Sequence, residues 1–126
     1  MKIRIDRNNI RFRLKQTEVR RFAEEKYLNH SLQFGADPGQ QICFILEQSD
    51  GYSMAVRFRD NYITISIPAA MSKTWTETEL VGLEENVETE PGITVGILIE
   101  KDFACLDGSD ADNADTFPNP NAVCNV

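Results

Sequence analysis

The chain has 126 residues and a mass of 14.3 kDa, with 41% hydrophobic and 26% charged residues, which suits one domain with a real core and is too little for two. Its net charge of −7 is uneven: residues 1–60 carry 11 Lys and Arg against 8 Asp and Glu, whereas residues 61–126 carry 2 against 12. No apolar run of the roughly 18 residues that a membrane helix needs is present, and the start MKIRIDRNNIRFRL alternates charge with hydrophobe instead of presenting the apolar core of a signal peptide, so the expected compartment is the cytoplasm.

In chain order, KIRID (2–6) and IRFRLK (10–15) put Ile3, Ile5, Ile10, Phe12 and Leu14 on one face and Lys2, Arg4, Arg11, Arg13 and Lys15 on the other. That period of two predicts a hairpin turning at Arg7-Asn8-Asn9. Thr17 is placed to cap a helix over 18–27, with Val19, Phe22, Ala23 and Tyr27 at helical spacing. A short edge strand near 29–34 ends at GADPGQ, and QICFILEQ (41–48), apolar on both faces, reads as a central strand. A turn at Ser49-Asp50-Gly51 then returns the chain along 52–59, Asp60-Asn61 forms a two-residue loop, and 62–67 pairs back with Ile63, Ile65 and Ile67 inward. Pro68 opens a short helical turn carrying Met71 and Trp75. The pattern over 76–82 fits helix or loop equally, and a last hairpin joins 83–89 to 93–100 through Glu90-Pro91-Gly92.

Seven or eight strands linked by short turns predict a β-rich α+β fold: a single antiparallel sheet, curled or barrel-like, with one principal helix near the N-terminus. No internal repeat is apparent. The domain is expected over 1–106, and the acidic stretch 107–126, whose Phe117 can anchor it, is expected to be a strap packed on the same domain.

The chemistry is sparse. No P-loop, dinucleotide fingerprint, nucleophile elbow, HExxH or CxxC occurs. Cys43 lies inside ICFIL as a small hydrophobe, which suits a reducing compartment. Cys105 and Cys124 remain for a disulfide or, with Asp115 or His30, for a zinc site, although their spacing matches no standard zinc pattern. No cofactor is expected, with zinc as the alternative. The basic row along the first hairpin can meet phosphate, but the acidic second half and the lack of stacking aromatics make nucleic acid a poor partner. The reading is a small soluble noncatalytic binding or accessory protein, with a protein or small-molecule partner, no membrane and no oligomeric state fixed. The alternative is a small hydrolase or metal-binding protein with a pocket at one end of the barrel, with His30 and Asp102 as its candidate residues.

The opening MKIRIDRNNIRFRLKQTEV, ADPGQ, ITISIPA followed by Trp75, and above all KDFACL with FPNP resemble a family of small uncharacterised bacterial proteins, a domain of unknown function. The resemblance runs from Met1 to about Cys124. It implies a cytosolic single-domain protein and marks Lys101, Asp102, Phe103, Cys105, Phe117, Pro118, Asn119 and Pro120 as the distinctive segment. No catalytic residue follows from it.

Overall fold

The computed structural model describes residues 1–103 and 115–118. Eight strands and two helices follow in order: β1 (Lys2–Asp6), β2 (Asn9–Leu14), α1 (Gln16–Glu25), β3 (Tyr27–Gln33), β4 (Gln41–Ser49), β5 (Ala55–Arg59), β6 (Tyr62–Pro68), α2 (Ala69–Glu77), β7 (Gly82–Glu90) and β8 (Ile93–Lys101), with a 3-10 turn at Pro38–Gln40. No helix among the described residues is long and apolar enough to cross a membrane.

The expected single antiparallel sheet is corrected. The strands form two separate four-stranded mixed sheets, sheet A in the order β1-β2-β8-β7 and sheet B in the order β3-β4-β6-β5, not one sheet closed into a barrel. All four hairpins are antiparallel, but each sheet is seamed at its centre by a parallel pair, β2 with β8 and β4 with β6. The turn after Ser49 does not lay β5 beside β4. The chain passes to the far edge and β6 inserts between them. Alternation and tight turns encode local hairpins, whereas the seams join strands distant in sequence and leave no local mark.

The helix count is corrected too, because Ala69–Glu77 is a second full helix and not a single turn. Helix α1 starts two residues earlier than expected: Lys15 takes the cap position and Glu18 Oε1 accepts its N–H at 2.9 Å, so Thr17 lies in the first turn. The helix stops because Lys26 enters the left-handed region at φ 62°, its N–H donating to the Phe22 carbonyl at 2.8 Å. Tyr27 therefore belongs to β3 and is exposed.

A repeat unseen in the sequence organises the fold. Hairpin, helix, hairpin occurs twice, and the first unit maps on the second at a constant offset through its hairpin and helix: β1 on β5, β2 on β6, α1 on α2. Asn8 and Asn61 occupy equivalent turns, where their carbonyls accept from Gly96 N at 3.0 Å and Cys43 N at 2.9 Å. The units exchange hairpins. The first sends β1-β2 to sheet A and β3-β4 to sheet B; the second does the reverse.

One core results. Phe12 and Leu14 of β2, Ile97 and Ile99 of β8, Phe44 and Leu46 of β4, and Ile65 and Ile67 of β6 face inward, and the Phe12 and Phe44 rings meet edge to face at 6.5 Å across the sheets. The helices add Val19, Phe22 and Trp75, with Phe22 and Trp75 also at 6.5 Å. Each large side chain fully buried in this way contributes about 1.5–3 kcal/mol.

Candidate functional site

Helix α2 ends at Glu77, and residues 78–81 carry the chain to β7 past the end of β8. Between these segments and Phe103, Phe117 and Pro118 lies a cleft of about 590 Å³. Val81, Phe103, Phe117 and Pro118 make it largely apolar, Glu77 and Glu79 stand on its acidic side, and Lys101 supplies a cation.

Lys101 continues the inward face of Ile97 and Ile99, so its side chain is carried into the protein and is only 6% exposed. Its Nζ donates to the Thr78 carbonyl at 2.7 Å, satisfying an acceptor at the C-terminal end of α2, where positive charge is also favoured by the helix dipole. The same ammonium sits 5.6 Å from the centre of the Phe117 ring. Burial lowers the Lys101 pKa, and the nearby Glu79 carboxylate partly opposes that shift.

Asp102 points the other way and is 5% exposed. Its Oδ2 accepts no hydrogen bond among the described residues and lies 3.4 Å from the exposed Lys2 Nζ. Its backbone fastens three segments: the N–H donates to Leu14 O at 2.8 Å, and the carbonyl accepts from Phe117 N at 2.7 Å. The Phe103 and Phe117 rings lie 5.9 Å apart and tilted by 59°. The third wall is steadied by Trp75, whose Nε1 donates to Val81 O at 3.1 Å.

The sequence-derived candidates divide. Lys101, Phe103, Phe117 and Pro118 line the cleft and Asp102 adjoins it. Cys105, Asn119, Pro120 and Cys124 lie outside the described residues. Asp115 sits at the start of α1, where its carbonyl accepts from Gln16 N at 2.9 Å and its carboxylate accepts from Thr17 N at 3.3 Å and from Thr17 Oγ1. His30 is exposed on β3 opposite Phe44, in the other sheet from β8 and the residues that follow it. The structure thus brings neither His30 and Asp102 nor His30 and Asp115 into one site, and no group of three His, Cys, Asp or Glu residues gathers as metal ligands among the described residues. Glu77, Glu79 and Val81 went unnoticed in the sequence because they fall in the stretch where helix and loop patterns overlap.

The chain belongs to a family of unknown function, DUF7009, whose model matches residues 1–121. The matched span runs through both KDFACL and FPNP without singling either out. No curated protein and no solved structure matches the chain.

Proposed function

We propose that this member of the family is a small noncatalytic binding protein of the bacterial cytoplasm, and that the cleft between Phe103, Phe117 and Val81 takes a compact aromatic or aliphatic ligand. The observation that carries the reading is the cleft itself: apolar walls about a buried ammonium, large enough for a small molecule. Lys101 is committed to Thr78 O, and the described residues lining the cleft include no serine, cysteine or histidine, so the chemistry of these residues favours holding a ligand over transforming one. Glu77 and Glu79 bias the entrance against anions.

The test is a titration of the ¹⁵N-labelled chain with indole, followed by amide shifts. Shifts concentrated at Val81, Lys101, Phe103 and Phe117, and lost in Phe117→Ala, are the expected result. Shifts gathering instead around the exposed Phe34 and Phe58, or persisting unchanged in Phe117→Ala, would overturn the assignment.

A further inference from the structure

The outer face of sheet A carries a second depression, of about 360 Å³, which shares no lining residue with the aromatic cleft. Strand register sets Arg4, Arg11, Leu98 and Glu84 side by side in one row across β1, β2, β8 and β7, and all four line the depression. With neighbouring strands about 4.8 Å apart, the backbones of Arg11 and Glu84 stand roughly 10 Å apart with Leu98 between them.

Their charges are not spent on each other. Arg11 Nε lies 3.6 Å from Glu100 Oε1, an oxygen that Arg13 Nε already holds at 2.8 Å. Arg4 and Glu84 have no ion-pair partner among the described residues. The guanidiniums are crowded: the Arg11 pKa is lowered, first by burial and then by Arg13 and Arg4, with Glu100 opposing. The row is therefore positive at one end, negative at the other and apolar in the middle.

The repeat supplies an internal comparison. The equivalent row on sheet B is Arg57, Thr64, Ile45 and Asn29. It keeps the arginine and the apolar centre but lacks the second arginine and the acid, and its Arg57 has Glu47 at 4.0 Å. Two faces built on one plan differ in the residues that make a dipolar site.

We propose that the outer face of sheet A binds a short zwitterion of the unblocked dipeptide class, its carboxylate on Arg4 and Arg11, its ammonium on Glu84 and its midsection over Leu98. Arginine recognises a carboxylate through paired N–H donors, and Glu84 fixes the ligand's direction by taking the opposite charge. An anion alone leaves Glu84 unused, and a cation alone leaves the arginines unused.

The test is an NMR titration of the full chain with three probes: alanyl-alanine, its N-acetyl form without the ammonium, and its C-terminal amide without the carboxylate. Alanyl-alanine is expected to shift the amides of Arg4, Arg11, Leu98 and Glu84 and to leave the Arg57, Thr64, Ile45 and Asn29 row unmoved. Each blocked probe should bind about fivefold more weakly, the upper end of what a partly exposed ion pair contributes. Glu84→Gln should erase the preference for alanyl-alanine over the acetyl form alone, and Arg4→Gln should reduce the preference over the amide alone; both residues are exposed, so the fold is unaffected. No shift on this face, equal affinity for all three probes, or unchanged discrimination in both variants would overturn the proposal.

Discussion

Phe117 joins two remote parts of the structure, and its removal should be felt at both. Its ring packs on Phe103 and under Lys101, and its amide is held by Asp102 O. Two residues earlier, Asp115 satisfies the first-turn amides of Gln16 and Thr17 at the start of α1. A fully buried Phe→Ala change costs about 3–5 kcal/mol. Phe117 is half-buried, so Phe117→Ala should weaken docking of 115–118 by about 2 kcal/mol, or roughly 30-fold in the closing equilibrium. Amide hydrogen exchange at Gln16 and Thr17 should then accelerate by about that factor, while Val19, whose N–H donates to Lys15 O at 3.0 Å, keeps its rate. Asp115→Ala makes the separating control. It removes the carboxylate from Thr17 but leaves the backbone carbonyl on Gln16, so only Thr17 should speed up. Unchanged exchange at Gln16 in Phe117→Ala would refute the claim that this aromatic anchor holds the α1 cap in place.

Lys26→Gly should stabilise the protein by about 0.5–1 kcal/mol in urea unfolding, since glycine removes the steric penalty of a left-handed residue at the end of α1. Gly82→Ala should cost about 1–3 kcal/mol, because a Cβ there would lie 2.8 Å from the Ile99 carbonyl oxygen, which the sheet cannot yield; Gly96→Ala, which meets side-chain atoms of Asn9 and Asn86 and not backbone, should cost less. Lys101→Met tests the buried ammonium through pH. Because burial lowers its pKa below the usual 10.5, between that lowered value and 10.5 the unfolded chain still holds a proton that the folded protein has released. Wild-type stability should therefore rise with pH across that interval relative to Lys101→Met, and below it the difference should be constant. Urea titrations of both proteins read the gap, and a gap flat with pH up to 10.5 contradicts the expectation.

Local chemistry was legible in the sequence to the extent that it is local. Asp60-Asn61 could be read as a tight turn, and both residues adopt positive φ. Cys43 to Leu46 could be read as part of a central strand, and all four are buried in β4, which lies inside sheet B between β3 and β6. What pairs with β4 could not be read, because Gln41–Ser49 meets Tyr62–Pro68 only after β5 has been carried to the edge. The repeat escaped for a similar reason: matching positions such as Arg4 and Arg57, Asn8 and Asn61, or Ile10 and Ile63 are few, while Val19 and Phe22 of α1 answer to Ser72 and Trp75 of α2. Packing preserves volume and face and not identity. At the cleft, resemblance pointed to Lys101, Phe103, Phe117 and Pro118, but the role of Lys101 at the end of α2 depends on β8 reaching a helix more than twenty residues earlier, a contact that no periodicity reports.

The exchange of hairpins has a consequence for how the fold is assembled. A peptide of residues 1–53 contains β1-β2 and β3-β4, yet these belong to different sheets, and each lacks its seam partner, β8 for β2 and β6 for β4. Isolated two-stranded hairpins are marginal in water, and without the second unit Phe12, Leu14, Phe44 and Leu46 lose the strands that cover them. The missing partners could come from a second copy of the same peptide, because β4 stands to its unit as β8 does to the other, so β2 of one peptide can lie beside β4 of another. The peptide should therefore be unfolded when dilute, and any sheet signal in circular dichroism should grow with its concentration or on mixing with 54–126. A monomeric 1–53 peptide that unfolds cooperatively, with a midpoint independent of concentration, would show that the parallel seams are not what holds each half together.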